Sequence, residues 1–142
     1  MKKYSMTVIG EPVPQGRPRF RHIGMRTITY VPKKCRQYKA LVKENARLNT
    51  PDGPVDGPVS LTLTIYHKIP KSASRAKQEQ MEDGLIEPTT KPDVDNVLKA
   101  VMDALTGVWY NDDAQVVEAM VSKTYSVNPR IEVCLQEIPT SI

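Results

Sequence analysis

The stretch Val59-Ser60-Leu61-Thr62-Leu63-Thr64-Ile65-Tyr66-His67-Lys68-Ile69 alternates strictly. Val59, Leu61, Leu63, Ile65, His67 and Ile69 fall on one face, and Ser60, Thr62, Thr64, Tyr66 and Lys68 on the other, which is the period of a β-strand. Working outward, Tyr4 to Ile9 alternates more weakly as a first strand. Residues 115–127 and 130–138 alternate as two more, turned at Asn128-Pro129. Between them, Val94, Val97, Leu98, Val101, Met102 and Leu105 recur at helical spacing as one apolar stripe, ended by Gly107. Residues 33–49 lack Gly and Pro and form a second helix, with Cys35, Tyr38, Leu41, Val42 and Leu48 as its apolar face. Ser72 or Ser74 caps a short polar helix through about Met81. Pro12, Pro14 and Pro18 preclude a helix or a central strand in residues 10–25, so that segment reads as a loop, with a short strand from Arg26 to Val31. Residues 50–58 are repeated turn chemistry, and residues 83–93 form another loop. These elements predict a single α+β domain over residues 1–142, a mixed or antiparallel sheet flanked by two main helices.

The 142 residues suit one domain, not a nucleotide-binding domain plus a separate catalytic one. No apolar run nears the roughly 18 residues that a membrane span needs, and no secretory leader is recognisable. Cys35 and Cys134 form neither a CxxC nor a zinc spacing, so a reduced, cytoplasmic protein is the default expectation. The formal charge of +4 is divided unevenly. Residues 1–50 carry twelve Lys and Arg against two acids, a net of +10, whereas residues 51–142 carry eight against fourteen, a net of −6. The basic part suits a polyanion. The acidic part points to carboxylates used for something other than phosphate contact, although two solvated faces of unlike charge would look the same.

The acids cluster in two places. Asp93 and Asp95 flank Val94 at the mouth of the best helix, and if Val94 enters the core both carboxylates can point outward together. Lys99 lies one turn beyond Asp95 on the same face. Asp112 and Asp113 follow the helix in Asn111-Asp112-Asp113-Ala114-Gln115, where a short return loop can bring them beside the sheet. Short carboxylates from two segments suit Mg2+, a hard cation held by a few oxygens plus substrate phosphate, and a nearby Lys can offset charge on a phosphoryl oxygen. Ordinary roles exist for each residue: Asp93 or Asp95 as a helix cap, Lys99 as an ion-pair partner of Asp95 and Asp103, Asp112 and Asp113 as turn residues. A glycosyltransferase-like DxD site is a further alternative, for which the chain is short.

Arg17, Arg19 and Arg21 alternate in the proline-stiffened loop, so their side chains can fan toward one phosphate-bearing surface. Phe20, the one Phe of the chain, lies among them, either stacking on an unpaired base or packing on the core. His22 and His67 have no Cys or His companion at ligand spacing, and His67 reads as a core or near-core residue. Trp109 and Tyr110 read as packing that positions the acidic loop.

The series Lys91-Pro92-Asp93-Val94-Asp95-Asn96-Val97-Leu98-Lys99, then Asp103-Ala104-Leu105-Thr106-Gly107, then Trp109-Tyr110-Asn111-Asp112-Asp113-Ala114-Gln115-Val116, resembles the RusA family of Holliday junction resolvases over nearly the whole chain. The opening Gly10 to Arg19 is similar to that family's N-terminal loop. The resemblance implies a homodimeric, Mg2+-dependent endodeoxyribonuclease, of a kind often encoded by phages and prophages, that resolves four-way junctions by paired symmetric nicks. By motif position, Asp93, Asp95 and Asp113 match the catalytic, metal-binding aspartates and Lys99 the catalytic lysine. The resemblance further implies that a metal-activated water attacks the scissile phosphate in line, leaving a 5′-phosphate and a 3′-hydroxyl, with Mn2+ as a substitute metal and no organic cofactor. Arg17 and Arg19 match the DNA-contacting loop, and charge and place add Arg21 and Lys91. A DNA-binding protein with a decayed nuclease is the alternative.

Overall fold

A computed structural model of the chain describes residues 1–16 and 18–140. In chain order the elements are β1 (Lys3–Ile9), β2 (Arg19–Ile23), β3 (Arg26–Tyr30), α1 (Lys33–Leu48), β4 (Val59–Lys68), α2 (Arg75–Glu82), α3 (Val94–Leu105), a 3-10 turn (Asp113–Gln115), β5 (Val116–Ser126) and β6 (Arg130–Glu137). The architecture is α+β with a mixed sheet, as expected.

β4 organises the sheet. Its Val59, Leu61, Leu63 and Ile65 are fully buried, so it takes an interior place, in the order β1-β6-β4-β5. β4 runs parallel to β5 and antiparallel to β6, and β1 runs antiparallel to β6. The expected turn at Asn128-Pro129 is present, but the strands it joins are not neighbours, because β4 lies between them. Two strand spacings are about 10 Å, which residues 127–129 can cross when extended.

One face of the sheet is covered and the other is open. Tyr4, Met6 and Val8 of β1, with Ile131, Val133 and Leu135 of β6, join the inward face of β4 in one core. Val42 and Ala46 of α1 and Val97, Val101 and Leu105 of α3 close it. The opposite face carries Ser5, Thr7, Thr62, Thr64, Glu132 and Cys134 along an open trough.

Four details differ from the sequence reading. The buried stripe of α1 is Cys35, Tyr38, Val42 and Ala46, while Leu41 and Leu48 are exposed; the i, i+3, i+4 geometry selects small Ala46 over the larger leucines. Val94 is 38% exposed and does not enter the core, which begins at Val97. The 10–25 segment is not all loop, because Arg19–Ile23 pairs with Arg26–Tyr30 as an isolated hairpin around Gly24, which has φ +61°. Pro18 precedes that hairpin, so no proline interrupts its hydrogen bonds. The expected return loop before β5 is a 3-10 turn that takes Gln115 from the strand.

Trp109 locks the chain after α3. It is fully buried, its Nε1 donates to the Ala46 carbonyl at 3.1 Å, and its ring lies 5.8 Å from that of Tyr4. Trp109→Ala is expected to lower stability by about 3–5 kcal/mol through the cavity it leaves, read as a lower urea midpoint in equilibrium unfolding.

Candidate active site

Asp93 is the N-cap residue of α3, yet its side chain makes no capping hydrogen bond. Its Oδ2 instead faces the Lys91 ammonium at 3.2 Å. Asp95 sits in the first helical turn, exposed, beside the positive end of the helix dipole. Lys99 is exposed one turn further on. Among the described residues it forms no ion pair, and Asp103 is bridged by Lys39 at 3.2 Å instead. The ordinary ion-pair role considered for Lys99 is therefore not used.

The basic arm is rooted at the same place. The Gln15 backbone N–H donates to the Asn96 carbonyl at 3.0 Å, which ties the irregular segment before the hairpin to the first turn of α3. Cross-strand pairing puts Arg19 opposite Tyr30, Arg21 opposite Ile28, and Ile23 opposite Arg26. Because successive side chains alternate, Arg19, Arg21 and Arg26 share one face of the arm. Phe20 and His22 take the other, where Thr27 Oγ1 lies 3.3 Å from His22 Nδ1. Phe20 is 69% exposed, so it does not pack on the core. Arg17 lies outside the described residues. Lys34, Lys68, Lys91 and His67 line a cleft of about 340 Å³ together with Glu11 and Pro92.

The second acidic pair is built differently. Asp112 caps the 3-10 turn: its Oδ1 accepts from Ala114 N–H at 3.1 Å, while Gln115 Oε1 accepts from Asn111 and Asp112 N–H at 2.7 and 2.9 Å. The Gln115 amide also donates to the Val55 and Gly57 carbonyls. The Ala114 N–H, then the adjacent Asp113 carboxyl, hold Asp112 below its usual range. Asp113 is pushed up, first by its hydrogen bond with Asp112, then by partial desolvation and the charges of Asp112 and Asp103. Asp112 is thus committed to the turn as its cap, which Asp113 is not.

One protomer does not gather the three aspartates. Asp113 stands at the C-terminal end of α3, where the Asp103 charge reaches it and where the Tyr110 hydroxyl donates to the Met102 carbonyl at 2.7 Å. Asp93 and Asp95 stand at the N-terminal end. Twelve helical residues separate the ends by roughly 16 Å, whereas carboxylate oxygens sharing one Mg2+ each lie about 2 Å from it. Consistently, no group of three His, Cys, Asp or Glu poised to hold a metal is present among the described residues.

One residue here had no place in the sequence reading. Lys123 of β5 pairs with Ile65 of β4, so it lies on the covered face of the sheet, and its Nζ reaches the loop before Asp93. A lysine at an inward-facing strand position was the available signal.

An acidic helix mouth, a lysine one turn along and the segment that leads to an arginine-bearing hairpin thus meet at the start of α3. The family model described as Endodeoxyribonuclease RusA matches residues 10–136, and the chain belongs to that endodeoxyribonuclease family. It is also 46% identical over 134 residues to the Bacillus subtilis (strain 168) protein named "Uncharacterized protein YqaN", covering 93% of this chain and 94% of that one. Among the described residues, no helix is long and apolar enough to cross a membrane.

If Asp112 holds Asp113 up, Asp112→Asn removes the neighbouring charge. The Asp113 carboxyl should then titrate at lower pH than in the unaltered protein, read by carboxyl 13C shifts during an NMR pH titration.

Proposed function

We propose that the chain is a Mg2+-dependent resolvase of four-way DNA junctions, acting as a two-fold homodimer in which each active site joins Asp93 and Asp95 of one protomer to the partner's Asp113. The observation that carries this reading is the tie between Gln15 and Asn96, which plants an arginine-bearing arm on the helix turn that presents the acidic pair. The separation of Asp113 along α3 supports the shared site. The first half of β5 offers the surface for it: β5 is an edge strand, with Val117 and Met120 more than 60% exposed. Two copies related by a two-fold axis pair such an edge antiparallel. That pairing carries the start of one β5, beside Asp113, toward the end of the other, where Lys123 touches the loop before Asp93.

The donor set fits the metal: three short, exposed carboxylates are hard oxygen ligands. When bound, Mg2+, or Mn2+ in its place, would supply Lewis acidity and a water ionisable near neutral pH. The chain's own groups do the rest. Lys91 neutralises Asp93 until a cation replaces it. Lys99 lies one turn past Asp95 to offset charge gathering on the scissile phosphate. Hydrolysis leaves a 5′-phosphate and a 3′-hydroxyl. Arg19 and Arg21 contact backbone phosphates, with Arg17 preceding them in sequence, while Phe20 stacks on a base unpaired at the branch point.

Two experiments test this reading. Asp95→Asn and Asp113→Asn are each expected to abolish cleavage of a labelled four-way junction while still binding it. Refolded together in equal amounts, the two inactive variants should regain about a quarter of the nicking rate, because half the dimers are mixed and each retains one intact site. Their nicks should be single, not paired. A mixture as inactive as its parents places the site within one protomer, and equal nicking of linear duplex defeats junction selectivity. Separately, Arg19→Ala with Arg21→Ala should lower the slope of log affinity against log salt by about 1.8, the loss of two phosphate contacts.

A further inference from the structure

The loop that delivers Asp93 is held by its own carbonyl oxygens. Lys123 Nζ donates to the Thr90 carbonyl at 2.8 Å and to the Pro92 carbonyl at 3.2 Å. His67 Nε2 donates to the Lys91 carbonyl between them at 2.9 Å. Three successive carbonyls are thus bound from the sheet by two side chains on neighbouring strands. His67 is itself fixed: Tyr125 presents its ring edge-on at 5.4 Å, and His67 Nδ1 lies 3.0 Å from the Lys68 carbonyl.

Stability alone does not ask for Lys123. Along β5 the inward-facing positions run Ala119, Val121, Lys123, opposite the fully buried Leu61, Leu63 and Ile65. Ordering a lysine at a half-buried position costs rotamer entropy and part of its hydration. No carboxylate is among its hydrogen-bond partners, and among the described residues it joins no salt bridge. An apolar residue would continue the stripe at lower cost. The ammonium supplies instead a charge-assisted grip on two carbonyls that bracket the residue preceding Pro92. Pro88 and Pro92 lack N–H groups, and among the described residues 86–92 make no backbone–backbone hydrogen bond.

We propose that Lys123, assisted by His67, is a positioning residue for catalysis. By clamping the carbonyls of Thr90, Lys91 and Pro92 it fixes where the chain enters α3, and hence where Asp93 and Asp95 present their carboxylates to cation and phosphate. This rests on the nuclease reading above. The clamp acts through metal occupancy of the site and makes no hydrogen bond to Arg19, Arg21 or Arg26 of the arm.

The test is Mg2+ titration of junction cleavage by Lys123→Met, with Lys123→Arg as the variant that keeps a cationic donor. Lys123→Met is expected to raise the Mg2+ concentration for half-maximal cleavage about tenfold, with metal-free junction binding unchanged, and Lys123→Arg to restore most of the difference. Wild-type Mg2+ dependence in Lys123→Met overturns the proposal, as does a loss of junction binding that parallels the loss of cleavage. If the unaltered protein cleaves no junction, the nuclease reading fails by itself. Amide hydrogen exchange then decides the clamp: Lys123→Met should exchange about tenfold faster over residues 89–97 while β1 and β6 are unchanged, and equal exchange rules the clamp out.

Discussion

Burial of Val97, Val101 and Leu105 in the core shared with β1, β4, β6 and α1 is the constraint on which the rest depends. It fixes α3 along the sheet as a rigid rod, and a rod has two ends. Asp93 and Asp95 belong to one end and Asp113 to the other. The shortness of the connection after α3 reinforces this, because Trp109 and Tyr110 are fully buried there and allow the acidic turn no freedom to swing back. The core that stabilises the domain is thus also what keeps the acidic groups of one protomer apart. The dimeric reading of the site follows from a packing fact, not from the charge pattern.

Around that rod the charges are distributed with some economy. Of four aspartates in the two acidic pairs, Asp93 is matched by Lys91, Asp112 is occupied as a cap, and Asp95 and Asp113 are left exposed. The two turns differ in how they are held. The 112–115 turn is fastened by its own Gln115, whose Oε1 closes the turn and whose amide reaches the Val55 and Gly57 carbonyls. The 90–93 turn is fastened from outside, by side chains of β4 and β5. The basic arm is the least embedded element, a two-stranded hairpin whose residues are all exposed. Such a ribbon gains little from burial, which suits the nucleic-acid contact proposed for it.

Much of this was readable in order along the chain. The alternation of residues 59–69 and the stripe of 94–105 gave their elements correctly, because each depends on a local period. The Ser74 cap, which accepts from Lys77 N–H at 3.3 Å, and the Gly107 stop were also local. The misreadings arose where a neighbour decides. Nothing in Leu41, Leu48 or Val94 says that the core ends before them. Nothing in Asn128-Pro129 says that a third strand intervenes. The hairpin was hidden because prolines next to it marked the whole segment as loop.

For function the division is similar. Residue identity and spacing alone determined which side chains are available: paired aspartates, a lysine one turn beyond, and arginines in alternation, in the ordered series that marks the RusA family. They also determined that Lys99 lies along α3 from Asp95, since both stand on one helix. Only the tertiary structure decided that the segment before the arm is tied to the acidic turn, that Asp113 lies a helix length from Asp93, and that Lys123 grips the loop between strand and helix. Those relations join segments 20 to 81 residues apart. Their distances are set by how the core packs, which no local period encodes.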